Sequence, residues 1–323
     1  MTETISERGS IEHLPVSIFA STMGIGGLAI VTAAVESVFS LPNYASLSLG
    51  ILTLVVWFVL LFAYTLKILR YPDALIAELD HPIRLSFFPT ISIGLLLISI
   101  SFLEIFEPLA TLFWWLGTVA QFGFTLLILN RWFHREHFET AHNSPAWFIP
   151  IVGNILVPAA GSELGYLEIS YFFFSFGIIL WLPLLAISLN RSFFFGSIPA
   201  KLRPTLFILI APPAVGMLSW SALHGGNPGE IGLVLYYSAL FFLVMLISQA
   251  KWFINLPFAL PWWAYTFPIA AISLASFNIY QAIPNFHYLV IALVLSGILA
   301  IVVALVSYKT IRGLLSGSLL IPE

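Results

Sequence analysis

Residues 262–268 read Trp262-Trp263-Ala264-Tyr265-Thr266-Phe267-Pro268, inside an apolar run over 252–282. The run reads as a membrane-spanning helix with a proline, Pro268, in its middle. Proline removes a backbone hydrogen bond and clashes with the preceding turn, so it bends or breaks the helix there. The residue just before the break is a large aromatic, Phe267. Trp262 and Trp263 suit the membrane–water interface, where an amphipathic ring is at home. Taken alone, Phe267 is one of 29 phenylalanines and reads as ordinary packing. The rest of the chain gives it more weight.

The 323 residues are 60 % hydrophobic and only 8 % charged, against about 25 % charged in soluble domains. This composition describes an all-α integral membrane protein with no sizeable soluble domain. The net charge of −3 carries no nucleic-acid signature. With no cysteine there is no disulfide, thiolate metal site or cysteine nucleophile. Residues 1–13 are polar and partly acidic (Glu3, Glu7, Glu12) and lack the pattern of a signal peptide. They are expected to remain as a cytoplasmic tail, followed by a transmembrane domain over 14–308 and a second tail over 309–323.

A spanning helix needs about 20 mainly apolar residues. That rule predicts ten: 14–35, 44–66, 85–103, 108–130, 147–160, 169–189, 204–223, 231–250, 252–282 and 287–308. The fifth is short and holds Pro150 and Pro158, which marks it as irregular. Every Lys and Arg falls in a tail or an alternate connection: Arg8, then Lys67, Arg70 and Arg84, then Arg131 and Arg135, then Arg191, Lys201 and Arg203, then Lys251, then Lys309 and Arg312. The other connections carry Glu104, Glu107, Glu163, Glu168 and Glu230. The positive-inside rule then places both termini in the cytoplasm, with the plasma membrane (a bacterial inner membrane) as the expected location.

Interior prolines fall mostly in odd spans, with expected kinks at Pro89, Pro158, Pro213 and Pro268 and with Pro150 and Pro212 beside them. Among even spans only the sixth has one, Pro183. Span one carries Gly24, Gly26 and Gly27, whereas span ten is nearly pure Leu, Ile, Val and Ala. Small and helix-breaking residues belong at close contacts or cavities, and branched aliphatics belong against lipid. The expected architecture is five helical hairpins, with odd helices forming an inner ring around a pore and even helices outside. Ordinary use of Gly and Pro in helix packing is the plainer alternative.

No predicted span has Asp, Glu, Lys or Arg in its interior, so proton relays and voltage sensors lack their usual groups. His134 and His137 have a metal-like spacing but no clear third ligand, and a solvated loop accounts for them better. No nucleophile–base, Walker or dinucleotide motif is present, so no enzyme, cofactor or metal is expected. A neutral conduit remains, lined by hydroxyls, backbone dipoles and apolar rings. It would bind anions weakly and pass them quickly, and an aromatic at its narrowest point would close it.

Several segments carry a family resemblance: Leu14-Pro15 with Phe19 and Gly24; His81-Pro82-Ile83-Arg84-Leu85-Ser86-Phe87-Phe88-Pro89-Thr90; Pro150 and Asn154 with Gly165-Tyr166; Ala211-Pro212; and Trp263-Ala264-Tyr265-Thr266-Phe267. The chain resembles, over almost its whole length, the tellurite-resistance/dicarboxylate transporter (TehA) family, which includes the plant guard-cell slow anion channels. The resemblance implies a homotrimer in which each protomer has its own ten-helix pore, occluded by a phenylalanine on the ninth helix. It places that gate at Phe267, with Phe19 near the same level. It also implies small anions as the transported partners. Plant members are opened by phosphorylation of long tails, a form of control not expected from the tails of about a dozen residues before the first span and about fifteen after the last.

One-turn steps from Phe267 put Ala264, Ala271, Leu274 and Asn278 on its face, and Thr22, Met23 and Gly26 follow Phe19. Asn154 and Gly216 are further candidates for the lumen, with helix packing as their alternative. The leading reading is a gated channel for chloride or nitrate; the alternative is a carrier or efflux transporter for dicarboxylate, sulfite or tellurite-type oxyanions. Uncharged spans favour the channel and predict permeation that varies little between about pH 6 and 8.

Overall fold

Apolar chain can lie in a bilayer only where its backbone groups are paired within the segment. The chain meets this with helices, and no strand occurs among the described residues. A computed structural model describes residues 10–134, 139 and 142–321. In order the helices are α1 (Ala20–Val38), α2 (Tyr44–Arg70), α3 (Pro72–Asp80), α4 (Thr90–Phe102), α5 (Glu107–His134), α6 (Ile149–Leu156), α7 (Pro158–Gly161), α8 (Leu167–Phe194), α9 (Ala211–Leu223), α10 (Gly229–Ser248), α11 (Thr266–Ala282) and α12 (Phe286–Leu315). The expected tail calls at Arg8 and the loop calls at Arg135 and His137 lie outside the described residues.

Among the described residues, 8 helical stretches are long and apolar enough to cross a membrane. The fifth and ninth expected spans are the two that fall short. The fifth is the short stretch Pro145–Gly161, interrupted between α6 and α7 where Pro158 has no N–H to give. The ninth does not begin at Trp252. That residue sits in a separate 3-10 turn, Ala250–Phe253, followed by non-helical chain at 256–259, and the span proper starts at Leu260. Helix α12 continues to Leu315, past the expected limit at 308.

The prolines are not mid-helix kinks. Pro89 is the N-cap of α4, Pro158 opens α7, Pro213 lies in the first turn of α9 and Pro268 in the first turn of α11. First-turn N–H groups have no intrahelical acceptor, so proline costs nothing there. Each of these helices except α7 is preceded by 3-10 chain: Arg84–Phe87 before α4, Pro145–Phe148 before α6, Ala200–Ile210 before α9 and Leu260–Tyr265 before α11, as Val16–Phe19 precedes α1. The proline in an α-helix interior is Pro183, in α8.

Packing contacts run from α1 to α4, α4 to α6, α6 to α9, α9 to α11 and α11 back to α1. Helix α2 packs on α1 and α4, α5 on α4 and α6, α8 on α6 and α9, α10 on α9, and α12 on α11 and α1. The stretches Val16–Val38, Arg84–Phe102 and Ala200–Leu223 are 67, 83 and 72 % buried, against 28–39 % for the other five long stretches. The five less buried helices therefore present most of their apolar surface outward.

Charge enters further than the hydropathy edges imply. Helices overrun the expected spans and carry Glu36, Lys67 and Arg191 into buried positions. Glu36 accepts from Ala45 N (2.9 Å) and Ser46 N (3.3 Å), which joins the end of α1 to the start of α2. Lys67 Nζ donates to Glu78 Oε2 and to Leu14 O, each at 2.8 Å, while Glu78 also accepts from Val16 N (3.0 Å) and the Tyr64 hydroxyl. This cluster fastens α2 and α3 to the chain entering α1. Removing one partner of a buried pair leaves an uncompensated charge. Lys67→Met is expected to cost about 3–5 kcal/mol, read as a lower unfolding midpoint in detergent. Adding Glu78→Gln recovers part of the loss; equal stability of Lys67→Met and wild type contradicts the assignment.

Candidate functional site

The N-terminal 3-10 chain and the C-terminal segment meet at one end of the bundle, where Ser10 N donates to Leu320 O at 3.0 Å. Helices α1, α4, α6, α9 and α11 all start near that end. Between them lie two cavities, and Phe267 borders both. The cavity nearer the termini holds about 30 Å³, room for one or two waters. The cavity on the far side holds about 370 Å³. Phe267 itself is only 6 % exposed.

The lining follows one spacing. Through the 3-10 turn Leu260–Tyr265 and α11 it runs along Ala264, Phe267, Ala271, Leu274 and Asn278, with Trp263, Pro268 and Ala270 beside them. Residues 149, 152, 156, 159 and 163 line the same cavities from α6, α7 and the turn that follows, and 208, 211, 215, 218 and 222 from the 3-10 chain Ala200–Ile210 and α9. Steps of three and four residues keep one helical face turned inward. Helix α1 contributes Ala20 and Met23 below Phe267, and Gly27 and Ile30 above it.

The small cavity has no charged residue in its wall. Its one hydroxyl, on Thr90, is engaged by the Phe87 carbonyl at 2.6 Å. The same local bond recurs as Thr22 to Phe19 O (2.7 Å) and Thr266 to Trp263 O (2.7 Å), at the joints opening α1 and α11. These hydroxyls satisfy carbonyls at the change of helix type. An ion in this layer meets no donor, so a ring-filled apolar constriction holds it out.

The structure gathers Ala264, Met23, Phe267, Ala271, Leu274 and Asn278 along the two cavities. It does not bring the other sequence candidates there. The Phe19 ring is fully buried against Tyr64, edge-on with centroids 5.9 Å apart, so it faces α2. Thr22 lies against Gly94 of α4, and Gly26 against Leu97 and Thr53. Asn154 donates to Thr125 Oγ1 (2.9 Å) and Pro150 O (2.8 Å), which turns it toward α5. Gly216 faces Ile178 of α8 and Leu235 of α10. Trp263 is buried and donates to Thr310 Oγ1 at 3.0 Å, so it is a packing residue and not an interfacial one.

Sequence reasoning missed Gly27 and Ile30, one residue round α1 from the face assigned, and it missed Glu163. Glu163 stands at the rim of the far cavity, opposite Asn278, whose amide oxygen accepts from Ser221 Oγ at 2.9 Å. Partial desolvation at the rim, with the charge of Glu104 adding to it, raises the Glu163 carboxyl above its ordinary range. A titratable group outside the expected spans therefore lines the cavity, one that the expectation of pH-insensitive permeation did not count. Among the described residues no group of three His, Cys, Asp or Glu side chains is placed to hold a metal.

Comparison with known proteins adds an independent line. A family profile described as voltage-dependent anion channel (SLAC1) matches residues 13–311. An uncharacterised transporter of Methanocaldococcus jannaschii is 29 % identical over 84 % of this chain and 86 % of its own length. A tellurite resistance protein TehA homolog of Haemophilus influenzae is 26 % identical over 93 % of this chain and 92 % of its own. The guard cell S-type anion channel SLAC1 of Arabidopsis thaliana is 24 % identical over 93 % of this chain and 55 % of its own. With apolar helices throughout and the profile covering nearly its whole length, the chain is a multi-pass membrane protein belonging to the voltage-dependent anion channel family.

Proposed function

We propose that the protein is a gated channel for small monovalent anions such as chloride and nitrate, with its path along the two cavities and its closure at Phe267. The observation that carries this reading is the position of one aromatic ring between a narrow apolar cavity and a wide one. Five helical hairpins around that path, with α1, α4, α6–α7, α9 and α11 inside, are the arrangement that the helix contacts support. We further propose the homotrimer that the family resemblance implies, a transmembrane domain over 14–308, and both termini in the cytoplasm. Basic residues at the end bearing the termini, from Lys67 to Arg312, support that orientation.

A neutral wall suits a channel because it binds passing anions weakly. The carrier reading draws on the name of the Haemophilus relative and on a path closed at one point between a narrow space and a wide one. The two readings separate on current. Wild-type protein in planar bilayers is expected to be nearly silent, and Phe267→Ala to carry at least about tenfold more chloride current, since an apolar plug is replaced by water-filled space. A folded but silent Phe267→Ala contradicts the channel reading and favours the carrier.

Glu163 predicts a pH effect with a definite sign. Its raised carboxyl takes up a proton at higher pH than an ordinary Glu, so acidifying the far side removes negative charge from the rim and eases anion entry. Through the Phe267→Ala pore, current is expected to rise about two- to fivefold as that side goes from pH 8 to 5, the effect of one charge beside a watery mouth. Glu163→Gln is expected to show the high current at both values. A dependence unchanged in Glu163→Gln assigns the effect to another group and overturns this role for Glu163.

A further inference from the structure

We propose that the wide cavity beyond Phe267 is a binding site for a small amphipathic monocation, with its alkyl body among the apolar walls and its guanidinium or ammonium head on Glu163, and that the bound cation blocks the path from that side. The blocking half of this rests on reading the cavities about Phe267 as an anion path; the binding half does not.

The cavity holds about 370 Å³. Clefts that take small organic ligands span roughly 300–1,000 Å³ and pair a mainly apolar wall with a few polar groups. Phe267 borders the inner end, and Leu97, Leu156, Val215, Leu218 and Leu274 surround the space from α4, α6, α9 and α11. Among the described residues, Glu163 and Asn278 are the only polar side chains in this lining. Asn278 Oδ1 is fixed by Ser221 Oγ at 2.9 Å. Glu163 stands at the rim, and among the described residues no donor or cation meets its carboxylate. The cavity therefore offers apolar surface and one uncompensated negative charge. An amphipathic monocation uses both. A neutral molecule of the same shape uses only the wall, and an anionic one is repelled at the rim.

The surroundings keep the sign of that charge. The connections at this end, 39–43, 103–106, 162–166, 224–228 and 283–285, are described throughout. They and the helix turns beside them carry Glu36, Glu104, Glu107, Glu163, Glu168 and Glu230, against two basic groups, His224 and His287. Every described Lys and Arg belongs to the opposite end. Glu36 is engaged by Ala45 N and Ser46 N. His224 is outside the cavity lining, with Nδ1 2.8 Å from Trp220 O and its ring stacked on Trp220. The His287 ring lies against Tyr288. Glu104 is near enough for its charge to act on Glu163, which deepens the negative field at the rim. A cation held there fills the space through which an anion from that side must reach Phe267.

The probe is hexylguanidinium, with 1-hexanol and hexanoate as its neutral and anionic counterparts. Thermal unfolding in a non-ionic detergent reads the site without any current. Hexylguanidinium is expected to raise the wild-type midpoint at about tenfold lower concentration than 1-hexanol, the effect of one charge at a watery rim, and hexanoate to leave it unchanged. Glu163→Gln is expected to remove that tenfold advantage. Glu230→Gln, an exposed acid at the same end but outside the cavity, is expected to keep it. Ala222→Phe fills the cavity and is expected to abolish the shift with Glu163 in place. A shift unaltered in Glu163→Gln or in a folded Ala222→Phe, or one weakened equally by Glu230→Gln, overturns the binding site. Glu163 is exposed, so its variant keeps the fold even if the Ala222 change does not. Block is read on Phe267→Ala protein in planar phosphatidylcholine bilayers. A guanidinium stays charged at working pH, so the side of addition is defined. Hexylguanidinium is expected to reduce the chloride current more strongly from the side away from the termini. Block that is equal from both sides, or unaltered by Glu163→Gln, overturns the blocking half. If Phe267→Ala passes no chloride, the channel reading fails, and a midpoint shift retained in Glu163→Gln then overturns the binding site separately.

Discussion

Position 24 has no room for a side chain, and much of the molecule follows from that. A Cβ there would lie 2.7 Å from the Trp263 ring, and one at Gly27 would lie 2.8 Å from Ala270 Cβ. Glycine at both places lets α11 lie directly on α1. Trp263 is held from the other side by its bond to Thr310 of α12. Residues 263, 266 and 270 pack toward α1, with Trp263 and Ala270 also bordering the cavities, and the adjoining face of the 3-10 turn and α11 carries 264, 267, 271, 274 and 278 into the space between the helices. The direction of the Phe267 ring is thus a result of how tightly two helices approach.

The 3-10 lead-ins give that space its shape. A 3-10 turn is narrower and longer per residue than an α-turn, so five lead-ins ending at similar depth bring five apolar faces to one level. Thr22, Thr90 and Thr266 spend their hydroxyls on the joints and leave none for an ion. The narrow layer offers an ion no free hydroxyl for that reason. Among the described residues that line the cavities, Arg84 and Lys201 stand at the end bearing the termini and Glu163 at the other.

Some of this was legible in the residues themselves. Ten apolar runs, basic residues in alternate connections and glycine at 24, 26 and 27 already describe helices that cross a membrane and touch closely. The face of Phe267 could be read from spacing alone because α11 keeps one period throughout. On α1 the same method grouped Phe19, Thr22 and Gly26 with Met23, and of these Met23 lines the cavities: Phe19 and Ala20 are a third of a turn apart, both runs are apolar, and period does not say which neighbour each face meets. Asn154 illustrates the same limit, since a buried amide can serve a lumen or a neighbouring helix and here bonds α5. Pro268 looked central because the 3-10 chain before it is as apolar as the helix after it. Lys67 and Glu36 lay just beyond the hydropathy edges, and their partners come from local contacts that composition does not report. Glu163 was placed in a connection, without sign that the connection folds over the cavity.

The central claim is that Phe267 alone divides a single path into two compartments open to opposite sides. The chain contains no cysteine, so single introduced thiols can be followed without background. The decisive measurement is modification of Ala264→Cys and Ala271→Cys by a membrane-impermeant thiol reagent applied from each side of sealed vesicles. With Phe267 in place, position 264 should react only from the side bearing the termini and position 271 only from the other; with Phe267→Ala added, each should react from both. Reaction of both positions from one side, or of either from both sides while Phe267 is intact, contradicts the account.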